Sequence, residues 1–282
     1  MLVQFNHQWL EAVWQYCHRH TYETLEVTYY LMRFRMGAQP VSKRDGNLYL
    51  SVEGDTVNGI AFFNVKGVLF ISYETEAIFQ KVDFLKAIHR EQPRQIRGQR
   101  QQVSRIFTFL QRILKDYAFH NMQVMALLDK SPTLSAPSIP EGLELVDAYT
   151  IDWLANGKFL LAVEQHFRAH TLTINNLRHK IHQRQEFEFY WVLSAAERVR
   201  AQIIAEFATD HTCVIGGLYV LPSERGHGLA KSLCLASIQE ILRANKTPAL
   251  YVADDNKEAI ELYQRLGFTR QAEMLDLNIK LQ

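Results

Sequence analysis

Cysteine is scarce in this chain: three residues among 282, at Cys17, Cys213 and Cys234. The number is odd and the spacing wide, which argues against a disulfide framework and for a reducing, cytoplasmic compartment. No apolar run approaches the roughly 20 residues that a membrane helix needs. The opening residues, Met1-Leu2-Val3-Gln4-Phe5-Asn6-His7, carry neither a basic n-region nor an apolar h-region, so no secretion signal is expected. A charge excess is missing too: 31 basic residues face 30 acidic ones, for a net charge of +1. That balance gives no electrostatic reason to expect nucleic acid or an anionic membrane as a partner. The remainder, 48% hydrophobic and 22% charged, is an ordinary globular composition, long enough for one large domain or two small ones.

What is present is a glycine-bearing loop, Arg225-Gly226-His227-Gly228-Leu229-Ala230. An apolar run, 214–222, precedes it and reads as a strand. After it Ala230, Leu233, Cys234, Ile238, Ile241 and Leu242 recur at helical spacing. A strand feeding a glycine turn and then a helix aims backbone N–H groups and the positive end of the helix dipole at one point, a geometry suited to phosphate oxygens. Two familiar phosphate motifs fail here. Ala230-Lys231-Ser232 lacks the glycine of the Walker pattern, and Lys231 stands where the dinucleotide fingerprint needs its third glycine.

The loop instead reads Arg-x-x-Gly-x-Ala, with Pro222 three residues before Arg225. Downstream, Asn256, Ala259, Leu262, Tyr263, Gly267 and Phe268 follow the pattern Asn-x-x-Ala-x-x-Leu-Tyr-x-x-x-Gly-Phe. On these two motifs, in this order, the chain resembles the GNAT superfamily of acyl-CoA-dependent N-acetyltransferases, from about Glu188 to the C-terminus. The resemblance implies an α/β protein. It implies acetyl-CoA as acyl-donor co-substrate, no metal, and a small-molecule or peptide amine as acceptor.

Three of the seven prolines, Pro132, Pro137 and Pro140, fall within residues 131–140, which read as a linker. The C-terminal half parses as a strand at 143–146, helices at 151–167 and 174–182, strands at 187–194, 201–207 and 213–221, the helix after the loop, and a strand at 249–252. A helix then follows, with Asp255 and Glu258 at capping-box spacing and Gly267 as its stop, and a last strand at 274–279. The N-terminal half has strands at 48–52, 59–65 and 68–72, helices at 76–89 and 103–117, and a strand at 122–128. This is the same order, so the expected architecture is two GNAT-like lobes, each a mixed, mostly antiparallel sheet flanked by helices. The expected domains are a degenerate GNAT-like lobe over 1–130, the linker over 131–140 and an acetyl-CoA-binding GNAT domain over 141–282. At the corresponding junction of the first half, Ile71-Ser72-Tyr73-Glu74-Thr75-Glu76 offers no glycine and two carboxylates, so that lobe is not expected to hold CoA in the same way.

Site residues follow from the resemblance. Backbone amides from Arg225 through Gly226, His227, Gly228 and Leu229 to Ala230 match those that hold the CoA pyrophosphate, and a Cβ at either glycine would intrude on it. Leu218 and Val220 match positions whose backbone pairs with the pantetheine arm, their side chains being core residues. Asn256 lies near the pantetheine amide or the acetyl group, or else it supplies polarity at a helix N-terminus. Tyr263 is the candidate proton donor to the departing thiolate; the alternative is a tyrosine packed between helix and sheet. The general base is less marked, because the strand before the loop carries no acid. Glu206 on the preceding strand is the first candidate and His211 the second, while a solvated or salt-bridged Glu206 is the plainer alternative. Cys213 and Cys234 read as core residues. His166 with His170, and His179 with His182, could each share a helix face, but nothing completes a tetrahedral metal set. Basic residues over 168–184 read as a solvent face or as the wall of an acceptor pocket. The activity expected is acetyl transfer to a primary amine by direct attack. A non-catalytic acyl-CoA sensor is the rival reading, and an aminoacyl transferase using charged tRNA a weaker one. A homodimer is compatible with all of this.

Overall fold

The computed structural model describes residues 2–35, 46–76, 82–129, 139–168 and 189–281. The chain forms two compact units. Unit 1 takes residues 1–125, 252–260 and 270–282; unit 2 takes residues 126–251 and 261–269.

In unit 1, β1 (Leu2–Gln4), β2 (Gly46–Glu53), β3 (Thr56–Asn64) and β4 (Val68–Tyr73) run antiparallel to their neighbours. β5 (Gln95–Gln99) joins β4 in parallel, from Val68↔Gln95 to Ile71↔Gly98. The two faces of this sheet are both covered. Helices α1 (Leu10–Arg19) and α2 (Leu25–Arg35) lay Val13, Tyr16, Val27 and Leu31 against Leu50, Ile60 and Phe62. Helices α3 (Val82–Glu91) and α4 (Arg100–Leu110) lay Phe84, Ile88, Val103 and Ile106 against Ala61, Phe63, Leu69 and Ile71. Successive strand residues thus alternate between two apolar cores, which is why these strands read as nearly continuous hydrophobic runs.

The helix expected over 103–117 is shorter. α4 stops at Leu110, a 3₁₀ turn spans Gln111–Ile113, and strand β6 runs over Leu114–Ala126. Tyr117 and Phe119 alternate with Asp116, Ala118 and His120 at period two, which a helix would scatter around its circumference. Helices α1 and α2 and strands β1 and β5 were not anticipated from the sequence. The helix expected over 76–89 is seen from Val82 onward; residues 77–81 lie outside those described, as do 130–138, most of the expected linker.

In unit 2, β7 (Glu144–Asp147), β8 (Phe189–Ala195), β9 (Arg198–Ala208) and β10 (Thr212–Val220) are antiparallel in sequence order. Strand β11 (Thr247–Ala253) lies parallel to β10. Helix α5 (Gly157–Arg168) places Phe159, Leu160 and Val163 in a core with Tyr190, Val192, Val199 and Tyr219. Helix α6 (Leu229–Arg243) contacts β8, β9 and β10, burying Leu233, Cys234, Ile238 and Ile241. The helix expected over 174–182 lies outside the described residues. Helix α7 (Lys257–Arg265) and strand β12 (Thr269–Leu281) complete the chain.

The last strand does not sit where a contiguous domain 141–282 would put it. β12 belongs mainly to unit 1 and pairs antiparallel with β5, from Met274↔Gln99 to Asn278↔Gln95. Its Leu275, Leu277 and Ile279 enter the core beneath α3 and α4. Between them, buried Asp276 accepts from Arg97 Nε and Nη2, both at 2.6 Å, and from Gln95 Nε2 at 2.8 Å. Arg97 Nη1 also reaches Glu26 of α2 at 2.9 Å, and the guanidinium lies over the Phe70 ring. Apolar burial and a bidentate ion pair therefore fix the strand's register together. Removing one partner of such a pair leaves charge poorly compensated in a low-dielectric setting. Asp276→Ala is expected to cost about 3 kcal/mol in urea unfolding, against little change for Asn278→Ala, whose side chain is exposed on the same strand.

Candidate functional site

The site in unit 2 starts where β10 outlasts one of its partners. Its parallel register with β11 runs from Thr212↔Thr247 to Ile215↔Leu250, whereas the antiparallel register with β9 continues to Val220↔Ala201. Two register shifts interrupt the β9 side, between Val214 and Ile215 and between Gly216 and Tyr219. Gly217 takes a left-handed φ of 56°, which a bulge of this kind demands and other residues resist. Gln202 pins the bulge. Its Nε2 donates to the Gly217 carbonyl at 3.0 Å, and its Oε1 accepts from the Tyr190 hydroxyl at 2.5 Å, with the side chain buried on β9. The backbone from Gly216 to Val220 thus runs on past the last β11 pair. Leu218 and Val220 are in this segment, and both are partly exposed rather than in the core as expected.

A 3₁₀ turn at Pro222–Glu224 leads from β10 into the glycine loop. Arg225 is extended, and its Nε donates to the Val220 carbonyl at 3.4 Å. Gly226 and Gly228 adopt φ of 81° and 79°. No protein atom lies within 4 Å of a Cβ built at either position, so within the protein the glycines are required by backbone conformation rather than by crowding. Gly228 is the N-cap of α6, no side chain caps the helix, and the first helical bond joins Ser232 N to Gly228 O. The amides of Leu229, Ala230 and Lys231 have no acceptor within the helix. With His227 exposed and the loop open to solvent, these amides and the helix dipole face outward as an anion cradle.

Tyr263 is held by the end of α7. Phe268 N donates to Tyr263 O at 3.0 Å and Gly267 N to Gln264 O at 3.0 Å, with Gly267 at φ 91°. This is a Schellman stop, and its customary apolar contact is the Tyr263–Phe268 ring pair, 5.7 Å between centroids. The Leu-Tyr-x-x-x-Gly-Phe pattern is therefore first of all a helix-ending device, and it fixes where the tyrosine stands. Tyr263 is 7% exposed, and its hydroxyl has no hydrogen-bond partner among the described residues. Burial pushes its pKa up, and the nearby Cys234 and Glu206 add to the shift, so the phenol stays protonated. Cys234 is buried in α6, its thiol pushed up to about 12 by desolvation.

Glu206 is exposed on β9 opposite the bulge, and a Cβ at Gly216 would collide with its carboxylate. Glu206 thus lies against Gly216, with Tyr263 and Cys234 within electrostatic reach of one another. His211 is exposed in the turn between β9 and β10, where its carbonyl accepts from Thr247 N at 2.8 Å. Asn256 is exposed, and its Oδ1 accepts from Ala259 N at 3.2 Å. That makes Asn256 the cap of α7, in place of the expected Asp255. His166 packs its ring against Tyr219, 5.3 Å between centroids; His170, His179 and His182 lie outside the described residues.

The corresponding junction of unit 1 is closed. Tyr73 Oη donates to Gln102 O at 3.0 Å and Gln102 Nε2 returns a bond to Tyr73 O at 2.7 Å. Glu74 is held by His20 at 3.0 Å and Arg19 at 3.2 Å, and the His20 hydrogen bond leads in lowering its pKa. Glu76 pairs with Arg105.

With this geometry in view, similarity to known proteins becomes informative. Residues 192–275 match the family described as FR47-like protein. Across 99% of the chain and 98% of the other, the fold matches a tandem GNAT protein from the clavulanic acid biosynthesis pathway, with TM-score 0.65 and 14% identity. A Drosophila protein of known structure matches over the same shares with TM-score 0.69 and 12% identity. At such identities these likenesses establish the fold. The fold is thus that of two-lobed, tandem GNAT proteins. Local sequence relatives are named mycothiol acetyltransferase. The one from Streptosporangium roseum is 45% identical over 60 residues, 20% of this chain and 18% of that protein. The one from Thermomonospora curvata is 40% identical over 85 residues, 28% of each. The match thus spans under a third of the curated relatives' length.

Sequence reasoning missed Gln202, Gly216 and Gly217. The Gly-Gly pair inside an apolar strand was the available signal, since glycine there marks a bulge or a close approach. Gln202→Leu removes both of its bonds and is expected to cost about 2 kcal/mol in thermal or urea unfolding.

Proposed function

We propose that this protein is an acyl-CoA-dependent N-acetyltransferase that moves an acetyl group from acetyl-CoA to a primary amine by direct attack. The observation that carries this reading is the uncapped start of α6, entered through two left-handed glycines, at the end of a strand whose backbone has outrun its neighbour. The relatives named mycothiol acetyltransferase support acetyl transfer as the chemistry.

The donor, when bound, supplies an acyl group activated as a thioester. The amides from Arg225 to Ala230 hold its pyrophosphate, and the backbone at Leu218 and Val220 pairs with its pantetheine arm as an added strand would. Asn256 keeps the role of a capping residue and is available to the acyl arm. Tyr263 holds a proton at Oη for the departing thiol; its raised pKa keeps that proton in place at neutral and mildly basic pH. Glu206 accepts the proton that the attacking ammonium must lose, directly or through water, and its exposure leaves room for an acceptor amine. No cysteine serves as nucleophile, since Cys213 and Cys234 are buried. The unit 1 lobe, with its junction closed by Tyr73 and Gln102, shapes the protein without holding a donor of its own. The protein works in the cytoplasm, in keeping with its few, widely spaced cysteines, on a small-molecule or peptide amine.

The test is a thermal-shift titration with acetyl-CoA, with AMP as control. At about 100 times its Kd a ligand specific for the folded state adds roughly 2.7 kcal/mol. A saturable shift with acetyl-CoA alone is expected, and it should vanish in Gly228→Asp, which brings both a disfavoured φ and a negative charge to the cradle. An equal shift in that variant would remove the loop from the site. Thiol release with an amine panel then reads turnover. Tyr263→Phe should lower kcat about 100-fold with little change in KM for acetyl-CoA, and an unaltered kcat would return Tyr263 to a packing role.

A further inference from the structure

The turn that carries the glycine loop is fastened to β9 at two points, and both belong to Arg200. Beyond the ladder pair Val220↔Ala201, Leu221 N donates to the Arg200 carbonyl at 2.9 Å. The Arg200 side chain then reaches the 3₁₀ turn, where its Nη1 donates to Glu224 Oε1 at 3.1 Å. Glu224 N closes that turn by donating to Leu221 O at 2.9 Å. His227 folds back from the loop, its Nδ1 donating to the Glu224 carbonyl at 3.3 Å. Glu224 is thus tied to β9, to the turn and to the loop itself.

Its charge is at odds with its surroundings. Glu224 is the only carboxylate in residues 211–239, a stretch that holds β10, the glycine loop and most of α6. Close to it in the chain stand Arg225 and Lys231, both exposed, and the uncapped start of α6. A site that draws an anion with amides and a helix dipole is weakened by a carboxylate one residue before the loop, inside the ~10 Å over which charges act at 0.1 M salt. An ion pair whose side chains are 36% and 28% exposed adds little to folding. Its effect here is local: it cancels a negative charge at the mouth of an anion site and keeps that carboxylate turned to β9.

We infer that, with the glycine loop as the donor site proposed above, Arg200 is a positioning residue for the donor. It neutralises Glu224 and holds the carboxylate to β9, so the loop meets the diphosphate of acetyl-CoA with amides and cations and no opposing charge. Arg200 acts through Glu224 and not on the donor directly. Charge at the phosphate end of the donor acts equally on the ground and transition states, so the pair sets affinity and KM and leaves kcat alone.

The test is isothermal titration of the full chain with acetyl-CoA at low and at high salt, with far-UV circular dichroism confirming that each variant is folded. Arg200→Gln leaves the carboxylate unpaired and is expected to bind about tenfold more weakly at low salt, a deficit that shrinks at high salt as charges are screened. Its kcat with an amine at saturating donor should change little, while its KM for acetyl-CoA rises. Arg200→Lys keeps the cation and should recover most of the affinity. Glu224→Gln is expected to bind a few-fold tighter, and R200Q/E224Q, uncharged at both positions, should return to within a few-fold of wild type. Wild-type affinity in Arg200→Gln overturns the inference. So does a loss in Glu224→Gln equal to that in Arg200→Gln, or a double variant that fails to recover, because the pair then serves only to fasten the turn. If Arg200→Gln does not fold, Glu224→Gln decides: tighter binding supports the assignment and weaker binding overturns it. A wild type that does not bind acetyl-CoA is a separate failure, that of the donor site, and it removes the role of Arg200 along with it.

Discussion

The site depends on one backbone constraint: β10 must stop following β11 and keep following β9. The bulge at Gly216 and Gly217 makes that possible, and buried Gln202 makes it permanent by tying the Gly217 carbonyl to the next strand but one through the Tyr190 hydroxyl. Once β10 has left β11, its last residues expose strand backbone, and the turn beyond it delivers the amides of α6 to the same end of the sheet. Glu206 lies against the glycine that opens the bulge. The exposed strand backbone and the position of the glycine loop therefore follow from one irregularity in one strand.

Unit 1 shows what the same order of elements does without that irregularity. β4 and β5 pair in parallel over a comparable stretch, and where unit 2 opens, Tyr73 and Gln102 exchange hydrogen bonds. Its carboxylates, Glu74 and Glu76, are committed to Arg19, His20 and Arg105. Unit 1 also receives the final strand, through a core shared with α3 and α4 and an ion pair between Asp276 and Arg97.

Much of this was legible from residue order. The glycine loop, its helix, the three strands before it and the stop at Gly267 are local features, set by left-handed backbone needs and by side-chain period, and they stand where the sequence put them. The loss of the phosphate loop in the first half was equally plain, since no glycine stands at 71–76. The α4–β6 boundary was misread because an apolar residue every three or four positions fits a helix, while Tyr117 and Phe119 fit a strand, and only packing on Phe107 settles the choice.

By itself the sequence determined the glycine turn, the helix that follows it and the position of Tyr263, because each depends on residues close together along the chain. Tertiary structure decided the rest. It set Gln202 beneath Gly217, Glu206 beside Gly216, Asn256 as a cap and β12 against β5. These are pairings between residues distant in sequence, and strand register, bulges and shared cores are fixed by which surfaces can be buried together. No local pattern encodes that choice.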